Sequence, residues 1–282
     1  LNRLAIVGNS GMGALTYHPT HEQYSEEASM DYDRLAEECA RILDTNYSDD
    51  LDELFRLGGS SGGARPKILT KIDGEEWIVK FPASIDRKDI GLIEYSYSEC
   101  AKKCGIEMTE TKLFPSRKCE GYFGTKRFDR KLNADGSTKR IHMLSVSALL
   151  EVSHRIPSVD YSTLLALTLK LTQSYAEVEK MYRLMCFNMY AHNRDDHTNN
   201  FTFLYNEEES AWKLSPAYAL TYSNSLGGEH ATCINGNGKN PTQADLLALA
   251  DKIGMKKSKA KEIAEFVRET VYEELGDVEQ YQ

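Results

Sequence analysis

The sequence predicts an α+β chain of two lobes, the first rich in strands and the second rich in helices. Three observations predict it. At 282 residues the chain is long for a single compact core. The apolar period is two between Ile68 and Arg130 and close to 3.6 after Leu144. One helical stretch, Ile90 to Cys104, interrupts the strands and gives the first lobe a helix to pack on its sheet.

Taken in order, "LNRLAIVG" reads as a short strand, and "NSGMGALTYHP" places three glycines ahead of a proline, the composition of a turn and loop. From Glu22 to Asn46 apolar residues recur every three or four positions among carboxylates, which predicts an amphipathic helix, and a second short helix is expected over Asp50 to Arg56. After "GGSSGGARPK" come "ILTKI", "EEWIVKF", "TKLFP" and "YFGTKRFDR", short β-rich runs bounded by turn residues. Beyond Leu144, "YSTLLALTLKLTQ" and "YAEVEKMYRLMCFNMYAHN" predict helices, the second apolar on several faces and so buried. The strands "FTFLY" and "AWKLS" come next, then the amphipathic helices "TQADLLALADKIG" and "KSKAKEIAEFVRETVYEEL". The expected division is residues 1–130 for the first lobe and 131–282 for the second. That order is the architecture of a protein-kinase-like fold, one of several α+β arrangements the composition allows.

Composition removes several function classes. Apolar residues at 41% and charged residues at 27% are those of a globular chain, with 19 Gly and 7 Pro too few for a low-complexity one. Thirty-four Lys and Arg against 43 Asp and Glu give a net charge of −9, a field that repels phosphate backbones and anionic lipid. Direct nucleic-acid and membrane binding are therefore not expected. No run of apolar residues is long enough to span a bilayer, and Leu1 to Gly8 lacks the basic head of a secretory signal. Six cysteines with no C-x-x-C pair suit a reducing cytoplasm. Cys100 and Cys104 lie one helical turn apart, half a metal site or, the favoured reading, two small apolar residues on one helix face.

Three segments could carry chemistry. In "GGSSGGARPK" the glycines let backbone N–H groups approach phosphate oxygens, although the spacing is neither that of a P-loop nor that of a dinucleotide fingerprint, and for this segment alone a flexible connection is the favoured reading. Lys80 in "EEWIVKFP" could neutralise nucleotide phosphates if Glu94, or Glu99, on the next helix holds its ammonium; a solvated strand lysine is the plain alternative. The densest segment is "HNRDDHTNNF", His192 to Phe201. So many Asp, His and Asn side chains between a buried helix and an apolar strand are costly unless they bind something or satisfy each other. Asp195 and Asn200 have the spacing of a proton-accepting Asp and a Mg²⁺-binding Asn. His192 and His197 beside two aspartates could instead build a transition-metal hydrolase site, but the H-E-x-x-H spacing is absent and only "GGEH", with His230, lies beyond. A structural hydrogen-bond cluster is the third reading.

The ordered set "SSGGARPK", "WIVKFP", "KRFDR", "NRDDHTNNF", "LSPAY" and "GGEH" resembles the HipA-like family of bacterial serine/threonine toxin kinases, over nearly the whole chain. The resemblance implies a kinase-like fold and transfer of the ATP γ-phosphate, with Mg²⁺, to a serine or threonine of a protein, an aminoacyl-tRNA synthetase in known cases. It implies that Ser60, Ser61, Gly62, Gly63 and Ala64 form the phosphate loop, with Ser60 or Ser61 autophosphorylated. It further implies that Lys80, paired with Glu94, is the nucleotide lysine, that Thr125, Lys126 and Phe128 belong to the adenine hinge, that Asp195 is the catalytic base, that His197 supports the catalytic loop and that Asn200 is a metal ligand. A phosphate on the loop would add nearly two negative charges where those of ATP must sit.

The family's second metal-binding Asp comes after "PAY", and here that position is Ala219, which offers no oxygen. Phosphoryl transfer is therefore expected to be badly impaired, the chain being a natural pseudokinase or, as the intact remaining motifs favour, a toxin disarmed by substitution. Family members carry a further N-terminal subdomain ahead of "LAIVGNSGMGAL"; this chain is expected to begin inside or after it, with a small separate protein as one source of the missing part and a DNA-binding antitoxin as a further partner. Two other functions compete: a nucleotide-binding regulator that acts by docking partners, and a small-molecule kinase on the same fold.

Overall fold

The computed structural model describes residues 4, 7–19, 31–44, 65–156, 158–225 and 227–281. The phosphate-loop residues Ser60, Ser61, Gly62, Gly63 and Ala64, the expected helix over Asp50 to Arg56 and the first part of the Glu22 to Asn46 helix lie outside them. The chain divides into two compact units, one of residues 1–95 and 109–143, the other of residues 96–108 and 144–282. The division expected after residue 130 is thus interleaved, because the helix inserted among the strands gives its second half to the second unit.

In the first unit β1 (Lys67–Ile72), β2 (Glu75–Lys80), β3 (Thr111–Phe114) and β4 (Tyr122–Lys126) form an antiparallel sheet in the order β1-β2-β4-β3. Period-two patterning sorts the side chains. Ile68 opposite Val79 and Thr70 opposite Trp77 are buried on one face, where α1 (Tyr32–Asp44) covers them with Cys39, Leu35 and Ala36. Asp31 caps α1 by accepting the N–H groups of Asp33 (3.1 Å) and Arg34 (3.3 Å). The Asp33 carboxylate then seats the helix on the β3–β4 connection. It accepts the Ser116 hydroxyl at 2.6 Å, the Tyr122 hydroxyl at 2.9 Å and the Arg117 N–H at 3.1 Å, which together hold its carboxyl well below the usual range.

Two features of this unit depart from the sequence pattern. "YFGTKRFDR" is β4 and then a separate hairpin, β5 (Arg130–Leu132) with β6 (Thr138–Arg140). Among the described residues of the strand expected over Leu1 to Gly8, Leu4 and Val7 are instead helical, and the Gly8 N–H donates to the Leu4 carbonyl at 3.0 Å. A short apolar run does not fix its own period. Next along the chain, the "NSGMG" loop is gripped by buried arginines of "KRFDR". Arg127 donates to the carbonyls of Ser10 (3.1 Å) and Gly11 (3.0 Å), Arg130 to those of Gly11 (2.6 Å) and Gly13 (3.0 Å), and Asp129 bridges both guanidinium groups while accepting the Gly13 N–H at 2.6 Å.

Helix α2 (Ile90–Lys103) starts against the sheet at a point only glycine allows. A Cβ on Gly91 would stand 2.1 Å from the Gly121 carbonyl oxygen. That close approach, one turn before Glu94, sets the height at which Glu94 meets β2.

The second unit is mainly helical, with α3 (Val146–Leu150), α4 (Tyr161–Thr172), α5 (Tyr175–Tyr190), α6 (Gln243–Lys252) and α7 (Lys257–Leu275). Helix α5 is buried on several faces as expected, through Val178, Met181, Tyr182, Met185 and Phe187, and packs against α4 and α7. β7 (Met143–Ser145), β9 (Thr202–Asn206) and β10 (Ala211–Leu214) form a sheet in the order β10-β9-β7, and the two-residue strands β8 (Val159–Asp160) and β11 (Thr232–Cys233) pair in parallel. Cys100 and Cys104 are buried, and the Cys104 thiol together with burial pushes that of Cys100 up, as for small apolar residues. All six cysteines are free thiols. Among the described residues no helix is long and apolar enough to cross a membrane, and no group of three or more His, Cys, Asp or Glu side chains is placed to hold a metal.

Candidate active site

Because β1 and β2 alternate, the face opposite α1 carries Lys67, Leu69, Ile78 and Lys80, and the register of β4 adds Phe123 and Thr125. Leu69 and Ile78 are only half-buried there, whereas their neighbours Ile68 and Val79 are fully buried beneath α1. At one end of the face Lys80 Nζ meets Glu94 Oε1 at 2.5 Å and stands 5.5 Å over the Phe123 ring. Glu94 is 2% exposed and Lys80 keeps a fifth of its side chain open, so the pair presents an ammonium held from behind by a buried carboxylate. Glu99, the competitor, pairs instead with Lys102 one turn along at 2.6 Å. In the segment expected to form the hinge, the N–H groups of Lys126 and Arg127 donate to the carbonyls of Glu110 (2.9 Å) and Glu76 (2.8 Å), Thr125 Oγ1 lies 3.0 Å from Thr109 Oγ1, and the Lys126 ammonium pairs with Glu75. Those two amides are committed to protein partners, and Phe128 comes after them half-buried.

The second unit builds the loop His192–Phe201. Helix α5 ends at Ala191, whose carbonyl accepts the hydroxyl of buried Tyr97 at 2.9 Å, and His192 turns the chain with φ 53°. The two adjacent aspartates then part company. Asp196 is 1% exposed and takes three hydrogen bonds: the Tyr161 hydroxyl at 2.9 Å, His230 Nδ1 at 2.9 Å and the Thr232 N–H at 3.2 Å. The Thr232 hydroxyl also donates to the Asp196 carbonyl at 2.5 Å. Burial and this carboxylate raise the Tyr161 hydroxyl well above its ordinary value. The chain of bonds continues from Asn188 to Tyr161 and from Asn193 to Asn188, each at 2.9 Å. Asp195 points outward with 61% of its side chain exposed.

Asn200, in the 3-10 turn Thr198–Asn200, donates its Nδ2 to the Asp195 carbonyl at 2.7 Å, which turns its amide oxygen away from that peptide. His197 Nε2 is 3.8 Å from Asp195 Oδ1, too far for a hydrogen bond, and its ring lies 5.3 Å from that of His154. Arg194 ties the loop to the segment beyond residue 219, donating to the carbonyls of Gly228 (2.5 Å) and Lys239 (3.2 Å). His192 is stacked on Tyr222 at 5.0 Å, and burial lowers its pKa. The two histidines of the metal-hydrolase alternative are therefore engaged with rings rather than with each other.

Ala219 sits in a segment aligned with this loop. The preceding Tyr218 donates to the Asn199 carbonyl at 2.5 Å and receives the Thr202 hydroxyl at 2.6 Å; burial pushes its pKa up to about 12. The Ala217 N–H donates to the Glu107 carbonyl at 2.8 Å, and Ser223 and Arg194 close a short ladder around His192 and Asn193. Ala219 itself has φ 54°, the left-handed region that Asn, Asp and Gly tolerate and alanine disfavours by about 1 kcal/mol. Toward a Mg²⁺ ion Asn200 can offer its amide oxygen, whereas the Ala219 side chain offers none.

Solved structures of known proteins resemble this chain. HipA of Shewanella oneidensis MR-1, solved with HipB and its operator DNA, superposes with a TM-score of 0.70 at 18% identity, covering 99% of this chain and 72% of that one. The Helicobacter pylori proinflammatory kinase CtkA gives 0.48 at 14% identity, over 78% of this chain and 91% of that one. No curated protein matches the sequence. The fold is α+β and protein-kinase-like. The model of the HipA-like C-terminal domain matches residues 59–275, and the chain belongs to that family.

The sequence singles out Lys80, Glu94, Asp195 and Asn200, and the fold brings Lys80 together with Glu94 and Asp195 together with Asn200. It marks Asp196 only as one of two adjacent aspartates, gives no sign of Tyr161 or Thr232, and leaves His230 isolated. A hydroxyl and a histidine far along the chain carry no local signal that they will converge on one carboxylate.

Proposed function

We propose that this chain is the kinase toxin of a toxin–antitoxin system, a serine/threonine protein kinase whose phosphoryl transfer is disabled at Ala219. The observation that carries the reading is the Lys80–Glu94 pair at the end of a half-open apolar sheet face. Such a face suits an adenine base against Leu69, Ile78 and Phe123, with the phosphates of ATP at the ammonium. In the active form of such a site a substrate hydroxyl oxygen attacks the γ-phosphorus, the bond to the ADP oxygen breaks and the hydroxyl proton passes to a carboxylate, for which exposed Asp195 is the candidate. Asn200 is the candidate ligand for Mg²⁺, which would neutralise charge on the transferring phosphate when bound.

The further parts of the reading rest on the family. They are an aminoacyl-tRNA synthetase as target, Ser60 or Ser61 as the autophosphorylated residue, a small protein supplying an N-terminal subdomain, and a cytoplasmic setting that six free thiols suit. A DNA-binding antitoxin partner is supported by the HipB and operator bound to the Shewanella protein, and a net charge of −9 is consistent with DNA contact being left to it.

Ala219 also favours a second reading, a nucleotide-binding pseudokinase that acts by docking partners. Intact mass after incubation with ATP and Mg²⁺ separates the two. The chain as it stands should gain no phosphate, Ala219→Asp should gain one on Ser60 or Ser61, and Ala219→Asp with Asp195→Ala should gain none. Binding of ATP by Ala219→Asp without any transfer would favour the docking regulator.

A further inference from the structure

Helix α7 carries its charges in the order that its own dipole disfavours. Lys256, Lys257, Lys259 and Lys261 stand at its N-terminal end, where the first turn has no acidic residue and the Lys256 cap makes no side-chain hydrogen bond. Glu269, Glu273 and Glu274 stand towards its C-terminal end, where the last turn has no basic residue. A helix is partly positive at its N-terminus and partly negative at its C-terminus, so both placements are unfavourable. Pairing along the helix does little to offset them. Lys259–Glu262, Lys261–Glu265 and Arg268–Glu269 stand 3.8, 3.6 and 3.9 Å apart, beyond hydrogen-bond reach, and Lys261 precedes Glu265 in the weaker of the two orders for such a pair.

The outer face of the helix is one ridge. Ile263, Val267, Val271 and Leu275 are buried, which leaves Lys257, Lys261, Glu265, Glu269 and Glu273, each four residues from the next, as a single row towards solvent. Its signs run plus, plus, minus, minus, minus. Turned end for end about Glu265, the row matches itself: Lys261 falls opposite Glu269 and Lys257 opposite Glu273. Tyr272, 73% exposed, and Phe266, 47% exposed, flank it with rings of the kind enriched at protein interfaces.

We propose that α7 is a self-association face, on which two copies of this chain pack antiparallel about a two-fold axis at Glu265, Lys257 and Lys261 of one copy lying against Glu273 and Glu269 of the other. A two-fold contact is isologous, so each pair occurs twice. Rows of residues four apart on two helices lie alongside one another at a crossing of about −50°, which keeps the five positions in register. Antiparallel packing also sets the N-terminal end of each dipole beside the C-terminal end of the other. Charges misplaced for the isolated helix thereby gain partners. At the axis the two Glu265 carboxylates face each other, the one unfavourable pair in the row. The inference needs no nucleotide and does not depend on the kinase reading.

One helix pair buries less than a standard interface, so the association should be weak, with a Kd on the order of 100 μM. Sedimentation equilibrium of the full chain across that concentration should show the 31.9 kDa monomer giving way to a dimer. Salt at about 0.15 M screens the repulsion between two chains of net charge −9 beyond about 8 Å while sparing charges in contact. Lys261→Glu and Glu269→Lys should each weaken the dimer about tenfold, since each sets two like-charged pairs face to face, and Glu265→Gln should tighten it about threefold. An equimolar mixture of the Lys261→Glu and Glu269→Lys chains should associate as the unmodified chain does, because both 261–269 pairs of the mixed dimer are opposite in sign. The mixture also controls for folding, since a misfolded variant would not recover on mixing. The proposal is overturned if the chain stays monomeric to about 1 mM, which would leave the row to a partner of another kind. It is equally overturned if the dimer ignores both single substitutions, or if the two single variants do not associate with each other.

Discussion

The half-open sheet face of the first unit and the loop His192–Phe201 of the second differ in how their polar groups are held. On the sheet face the charged groups are present and set against one another: Lys80 on Glu94, with Lys67 opposite. In the loop Asp196 holds three donors and Tyr218 holds the Asn199 carbonyl, while the residue after Tyr218, Ala219, has no side-chain oxygen. The groups that shape a site and the atoms that react in it are therefore separable. A loop fixed by buried hydrogen bonds does not depend on the side chain at position 219 for its course, and Ala219 holds a left-handed φ of 54° that an aspartate tolerates better.

The largest expected effect breaks this contrast by restoring the missing oxygen. Ala219→Asp should raise phosphate incorporation by on the order of a thousandfold, since a metal ligand at the transferring phosphoryl is worth several kcal/mol; an initial-rate assay with labelled ATP reads it directly. Next in size is the division between the two aspartates. Asp196→Ala strands the Tyr161 hydroxyl, the Thr232 N–H and His230 in the interior, and should lower stability by about 3 kcal/mol in urea unfolding. Asp195→Ala removes an exposed carboxylate and should change stability by less than about 0.5 kcal/mol while abolishing whatever transfer Ala219→Asp restores. Equal effects of the two on stability would sink the assignment of scaffold and reacting roles.

Much of this contrast is legible in the sequence, and the exceptions have physical causes. Helix periods place α2, α4, α5 and α7, and alternation between turn residues places the four-stranded sheet. The apolar residues of Leu1 to Gly8 fit either period, and Leu4 and Val7 are helical. The crowding of polar residues in His192 to Phe201 marks the site, but "DD" cannot say which carboxylate turns inward. That is decided by β11, which brings His230 and Thr232 to Asp196 by pairing with β8 from far along the chain. Pairings distant in sequence are the information a single chain does not spell out.

The smallest effect separates backbone from side chain at position 219. Ala219→Gly removes the Cβ that the left-handed conformation disfavours, and if its neighbours impose that conformation the change should be stabilising by up to about 1 kcal/mol, a rise in Tm of about 2 °C, without restoring any transfer. Ala219→Asp should give a smaller stability gain together with transfer, because aspartate tolerates the same φ and supplies the oxygen. Loss of stability in Ala219→Gly would mean that the segment is not held left-handed by Tyr218, Ala217 and the ladder at Ser223, and that the preserved scaffold on which the comparison rests is itself altered. A gain in both variants, with transfer in only one, would show that the loop keeps its aspartate-type geometry and lacks only the ligand.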